Sequence, residues 1–205
     1  MPRKPRKYII APYSLYHIVT RGNNQRRIFR SPRDYKKFLK IIEETKKKFP
    51  FYLYSLNLLS NHYHFELETK EVPISKIMHQ INTSYVKYFR KRYGGSGHLF
   101  QERFFSSLIN KDSYFWEVSA YIDLNAARAG LVEKPEDWPW SSYLIYIKGK
   151  KKEKLKLIEK LIDKERFLRY GGEDLEKVRF SYLKFIEERL KSKKEPPFPI
   201  KPKMV

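Results

Sequence analysis

Cysteine is absent from this chain of 205 residues. Disulfide bonds, thiolate metal sites and catalysis by a thiol are therefore excluded. The chain also has no apolar run approaching the roughly 18 residues that span a bilayer, and it has no hydrophobic signal stretch at the N-terminus. These absences predict a cytoplasmic protein with no membrane partner. Binding to a membrane surface through basic side chains stays open, but the sequence has no clear amphipathic anchor for it.

Acidic side chains are scarce relative to basic ones. The sequence has 44 Lys and Arg against 23 Asp and Glu, a formal net charge of +21. The first 30 residues contain eight Lys or Arg and no carboxylate side chain. Such an excess predicts a polyanionic partner, nucleic acid above all. The alternative is that lysine and glutamate only decorate a soluble or heat-tolerant surface.

Apolar periodicity and turn residues predict four strands and a set of helices. We expect strands at residues 14–20, 51–59, 62–69 and 103–110, and helices at 32–48, 73–93 and 112–130. The order strand–helix–strand–strand–helix–strand is that of the split βαβ, ferredoxin-like fold, an α+β class with one antiparallel sheet. We expect helices on one face of this sheet and a substrate on the other.

The chain divides into three parts on composition. Residues 1–12 form a basic arm, residues 13–147 the main domain, and residues 148–205 a lysine-rich helical extension with a mobile tail. Within the extension, helical patterns cover about 154–169 and 173–192. The candidate contacts to a nucleic-acid backbone are Arg3, Lys4, Arg6 and Lys7 in the arm, and Arg21, Arg26 and Arg27 in the loop after the first strand.

Two short patterns carry chemistry. Successive side chains of a strand point to opposite faces, so His62 and His64 project together. Residues four apart on a helix are neighbours, so Tyr121 and Asn125 also share a face. Two imidazoles and an amide oxygen suit a divalent cation, and a phenol beside that cation can become a nucleophile. In a basic protein, the electrophile is expected to be a phosphodiester.

Other residues near these patterns have several alternative roles. Glu66 and Glu68 share the strand face of the histidines, and Glu66 is either a further ligand, a support for one, or a solvated carboxylate, which the pattern favours. His17 lies on the first strand. We expect it to pack in the core or to support the metal ligands, in preference to binding the ion itself.

The sequence resembles the single-tyrosine HUH transposases, in the IS200-like branch that includes the REP-associated tyrosine transposases. The resemblance covers about residues 13–143, in the family's order. The matching stretches are YHIVTRGNNQRRIF (16–29), DYKKFL (34–39), SNHYHFELE (60–68), ISKIMHQINTSYVKYF (74–89), GHLFQERF (97–104), YIDLNAARAGLV (121–132) and DWPWSSY (137–143).

The resemblance implies a role for each patterned residue. His62 and His64 would be the paired metal ligands, Asn125 the third, and Tyr121 the nucleophile. The expected reaction is metal-dependent cleavage and rejoining of single-stranded, hairpin-bearing DNA through a 5′-phosphotyrosine, with Mg²⁺ or Mn²⁺ as cofactor. The usual Asn-Pro-Val of the family is Asn125-Ala126-Ala127 here, so the helix is expected to continue through Arg128.

Three points stay open on sequence alone. A ferredoxin-like sheet could bind single-stranded nucleic acid without catalysis. A hydrolytic metallonuclease would use water as the nucleophile and Tyr121 only for packing. A homodimer, with active sites within one subunit or shared between two, is also compatible with the sequence.

Overall fold

The computed structural model of the protein describes residues 12–109, 111–147 and 155–192. The arm residues Arg3, Lys4, Arg6 and Lys7, the lysine-rich stretch at 148–154 and the tail from 193 lie outside these ranges. The strands are β1 (Leu15–Arg21), β2 (Phe51–Leu58), β3 (His62–Thr69) and β4 (Phe105–Leu108). The helices are α1 (Pro32–Lys48), α2 (Ile74–Tyr93), α3 (Lys111–Arg128), α4 (Tyr143–Tyr146), α5 (Leu155–Glu159), α6 (Lys164–Arg169) and α7 (Leu175–Lys191).

The four strands form one sheet in the order β2-β3-β1-β4. Every neighbouring pair is antiparallel. The connectivity β1-α1-β2-β3-α2-β4 confirms the predicted split βαβ arrangement and α+β class. In this order the central strands β3 and β1 lie side by side, so residues from chain positions near 17 and 64 meet on one surface.

Alternation along β3 separates two cores. Tyr63, Phe65 and Leu67 point to the face covered by α1 and α2, where they join the larger core. The opposite face carries His62 and His64. We predicted helices on one face of the sheet only, but α3, α6 and α7 also pack on the face that carries the histidines. There they form a second core with Leu15 and Tyr54.

The C-terminal helices differ from prediction in one place. A single helix was expected at about 154–169, but α5 ends at Glu159 and α6 begins at Lys164. Asp163 between them bonds to β2: its amide donates to the Leu53 carbonyl at 2.9 Å, and its carboxylate accepts from the Leu53 amide at 2.8 Å. Because β2 is an edge strand of the sheet, backbone groups on its outer side can bond to residues outside the sheet, and Asp163 bonds to those of Leu53.

Two further expectations concern helices. The absence of the family's proline does let α3 run on through Arg128. Within the described ranges, no helix is long and apolar enough to cross a membrane.

Candidate active site

A cluster of histidines lies where β1 and β3 pair. In this register His17 is opposite Glu66, Val19 opposite His64, and Arg21 opposite His62. Nε2 of His17 lies 3.1 Å from Nδ1 of His64, and the two buried rings are stacked with centroids 5.4 Å apart. The ring of His62, on the other side, is 5.0 Å from that of His64.

Burial keeps the inner histidines neutral. It lowers the pKa of His17 to about 3. The pKa of His64 falls well below its usual value, mainly through burial and further because His62, His17 and Arg21 disfavour a positive charge on its ring. A neutral imidazole has a lone pair on one ring nitrogen, which is the form that binds metal ions.

The ring nitrogens of the predicted ligands are arranged for that role. Nδ1 of His62 donates to the side-chain oxygen of Asn61 at 2.6 Å, so its lone pair resides on Nε2. Nε2 of His64 is buried and has no hydrogen-bond partner among the described residues. A buried polar atom without a partner is costly, and a bound cation would satisfy this one.

Tyr121 reaches the histidines from α3. Its half-buried ring stands edge-on to both His17 and His64, with each centroid 5.7 Å away. The structure therefore brings the predicted nucleophile to the predicted ligand pair, although the two motifs are more than 50 residues apart in the chain.

Two buried contacts orient α3. The Ser119 hydroxyl donates to the Glu66 carboxylate, and the Asn57 side chain donates to the Ile122 carbonyl at 2.8 Å. Ser119 therefore lies beside Glu66, and Ile122 lies beside Asn57, which is paired with His64 in the sheet. The chain direction of α3 is thus opposite to that of β3. Asn125, one turn beyond Tyr121 and partly buried, therefore lies toward the His62 end of the strand.

Both acidic residues on this face are buried, so the interpretation of Glu66 as a solvated carboxylate was wrong. Glu66 is fully buried, and burial raises its pKa well above the usual value. Glu68 is also buried; it accepts a hydrogen bond from the Tyr54 hydroxyl and lies 3.5 Å from Arg166 of α6. The second core covers both carboxylates, which the strand alternation alone did not reveal.

Sequence reasoning missed Asp123, which lies between Tyr121 and Asn125 on α3. Its carboxylate accepts from the Ser142 hydroxyl at 2.7 Å and from the Tyr182 hydroxyl of α7 at 2.9 Å. Burial raises its pKa to about 7, against the opposing effect of these hydrogen bonds. The one signal in the sequence was a carboxylate flanked by Ile122 and Leu124 in an apolar stretch.

The predicted DNA contacts fall in two groups. Arg21 ends β1 directly opposite His62, while Arg26 and Arg27 are exposed in the following loop. The four arm residues lie outside the described ranges.

Over the ranges that are described, no group of three or more His, Cys, Asp or Glu is arranged to hold a metal ion. The ligand set predicted here differs in kind, since it combines two histidines with an amide.

Comparisons with known proteins place the chain in a family. A solved structure described as a REP-associated tyrosine transposase bound to a REP hairpin is similar in fold, with a TM-score of 0.58 and 19% sequence identity. The match covers 71% of this chain and 84% of that one. A search of curated proteins finds no significant match. The model of the family described as "Transposase IS200 like" matches residues 12–125, more than half of the sequence, and the chain therefore belongs to the IS200-like transposases.

Proposed function

We propose that this protein is a metal-dependent DNA strand transferase that cleaves and rejoins single-stranded DNA through Tyr121. The observation that carries the proposal is the approach of the Tyr121 ring to His17 and His64, at 5.7 Å each, beside His62. A protein that only binds nucleic acid has no use for a phenol next to neutral, buried imidazoles.

The residues present fit a divalent cation. His62 and His64 would bind it through Nε2, and Asn125 through its amide oxygen. The mixture of nitrogen and oxygen ligands suits Mn²⁺ or Mg²⁺. When bound, the ion would polarise a phosphate oxygen and orient the scissile bond.

His17 supports this arrangement. For Nε2 of His64 to carry a lone pair, Nδ1 must carry the proton and donate it to Nε2 of His17, 3.1 Å away. Ligating histidines commonly donate their other N–H in this way, which sets the tautomer and holds the ring. His17 is thus a positioning residue, and it acts through His64.

The chemistry proposed for Tyr121 is transesterification. Its hydroxyl oxygen forms a bond to phosphorus while the bond from phosphorus to the 3′-oxygen breaks. The phenol loses its proton to solvent, and the departing 3′-oxygen takes one up, so a 5′-phosphotyrosine and a free 3′-hydroxyl result. Attack by another DNA hydroxyl reverses the step and joins strands without an external energy source.

The proposed substrate is single-stranded DNA with a hairpin. The net charge of +21 provides general attraction to phosphates, and Arg21 beside His62 provides a cation at the site itself. The structural neighbour was solved with a hairpin, which is consistent with this substrate class. The proposal includes a homodimer as one oligomeric state of the protein. Analytical ultracentrifugation with and without DNA would test it.

Trapping the covalent adduct tests the function. Wild-type protein with Mn²⁺ and 5′-labelled or 3′-labelled hairpin oligonucleotides from its own flanking DNA should give a protein–DNA band that survives denaturing gels. Only the DNA fragment on the 3′ side of the cut should remain attached, because the phosphate stays with the 5′ end. Tyr121→Phe should abolish this band.

Tyr114→Phe is the matched control, since Tyr114 lies on the same helix and is also partly buried. It should leave the adduct intact. Cleavage without any adduct would indicate a hydrolytic nuclease, and binding without cleavage a recognition module. Either outcome would overturn the proposal.

A further inference from the structure

A second concave surface lies away from the histidines. It is a groove of about 910 Å³ between α2 and the segment at residues 98–104. Four basic side chains line it, namely Lys76, Lys87, Arg90 and Arg103, against one carboxylate, Glu102. All four basic residues are exposed. The groove therefore has an excess of positive charge that the proposed active site does not use.

The groove lies behind the strand that carries the histidine pair. Tyr63, between His62 and His64, points to the opposite face of the sheet, where its hydroxyl donates to the side-chain oxygen of Asn82 at 2.5 Å. The amide nitrogen of Asn82 in turn donates to the Arg103 carbonyl at 2.9 Å. Both walls of the groove are thus fixed to the same stretch of β3 as the proposed metal ligands.

One wall of the groove is joined by backbone hydrogen bonds to the chain beside the proposed site. The Asn23 amide donates to the Leu99 carbonyl, and the Gln101 amide donates to the Arg21 carbonyl, each at 2.9 Å. Arg21 is opposite His62 in the sheet. A DNA strand held at His62 could therefore pass Arg21 and Gln101 and enter the groove without crossing the molecule.

The chemistry of the lining indicates which part of DNA it suits. Phe100 and Phe104 line the groove but are buried, at 8% and 4% exposure, so they offer no open ring face for a base to stack on. The exposed cationic groups are ammonium and guanidinium donors, which bind phosphate oxygens, and the exposed side chains of His79, His98 and Gln101 lie beside them. Contacts of this kind attract a backbone without reading its sequence.

We infer that the groove between α2 and residues 98–104 binds the phosphate backbone of DNA flanking the scissile bond. This inference rests on the proposed function, because it assumes that the bound polymer is the same DNA that reaches Tyr121. It adds a site that works by charge alone, separate from the residues that perform the chemistry.

The test measures the salt dependence of binding for Lys87→Gln/Arg103→Gln, made in a Tyr121→Phe background so that cleavage does not interfere. The probe is a single-stranded oligonucleotide with a hairpin and flanking single strands. Removing two phosphate contacts to a single strand should lower the slope of log Kd against log salt by about 1.4. Lys36→Gln/Lys40→Gln on α1 makes the same change of charge at exposed positions outside the groove and should leave the slope unchanged.

A second measurement uses the absence of cysteine from the chain. Lys87→Cys can be labelled at a unique position with a photoreactive maleimide, with Lys40→Cys as its control. Cross-linking to the flanking DNA from position 87 and not from position 40 is the expected result. An unchanged salt slope, or equal cross-linking from both positions, would overturn the groove assignment.

Failure of the groove assignment is distinguishable from failure of the proposed function. With Tyr121 restored, the groove variant should still form the covalent adduct at saturating DNA, because the groove contains none of the proposed reacting groups. An adduct together with an unchanged salt slope would reject the groove and keep the function. No adduct from wild-type protein would reject the function whatever the slope.

Discussion

Replacing His17 by phenylalanine tests how the proposed metal site is held. The change keeps a flat ring in the stack with His64 but removes the nitrogen that lies 3.1 Å from its Nδ1. If the Nδ1 proton stays, a buried donor is left without an acceptor, at a cost of about 1–3 kcal/mol. If the proton moves to Nε2 instead, the ligand atom loses its lone pair.

Both routes weaken binding of the ion. Loss of such a supporting partner lowers metal affinity by a factor of about 10–100, which corresponds to about 1.4–2.7 kcal/mol. Electron paramagnetic resonance of free Mn²⁺ during a titration measures the affinity directly, without reference to DNA cleavage. His17→Gln, which can place an amide oxygen near the former Nε2, should recover part of the loss.

His79→Phe is the control, because His79 is an exposed histidine on α2. It should bind Mn²⁺ with wild-type affinity. Wild-type affinity in His17→Phe, with an unchanged free energy of unfolding, would refute the reasoning that His17 sets the tautomer of His64.

The remaining predictions concern the ligands, a buried carboxylate and the arm. Replacing both His62 and His64 by alanine should remove the rise in melting temperature caused by Mn²⁺, and full cleavage activity in excess chelator would contradict the metal assignment. Asp123 has a pKa raised from 3.8 to about 7 in the folded state, so its contribution to stability is present below pH 3.8 and lost as the pH rises to 7. Between pH 5 and pH 8, urea unfolding of wild-type protein should therefore lose about 2–3 kcal/mol relative to Asp123→Asn, and parallel pH profiles would contradict this. Deleting residues 1–7 should lower the salt slope of DNA binding while adduct formation at saturating DNA persists, and an unchanged slope would show that the arm makes no phosphate contacts.

Local sequence patterns were sufficient to predict the strands and helices. They also predicted which residues close together in the sequence share a face. Alternation in β3 put His62 and His64 on one face, and helical spacing put Tyr121 and Asn125 on one side of α3, because backbone geometry fixes both periods. The order of these elements was enough to predict the sheet. That Tyr121 faces the histidines was implied by the family resemblance and is found in the structure at 5.7 Å from His64.

Only the tertiary structure decided which groups are buried and which distant residues meet. His17 becomes a partner of His64 through the pairing of β1 with β3, across 47 positions of the chain. Glu66 and Asp123 lose their solvent because α3 and the C-terminal helices pack over this face. Burial and long-range pairing depend on the free energy of packing the whole chain, which the pattern of any short segment does not contain.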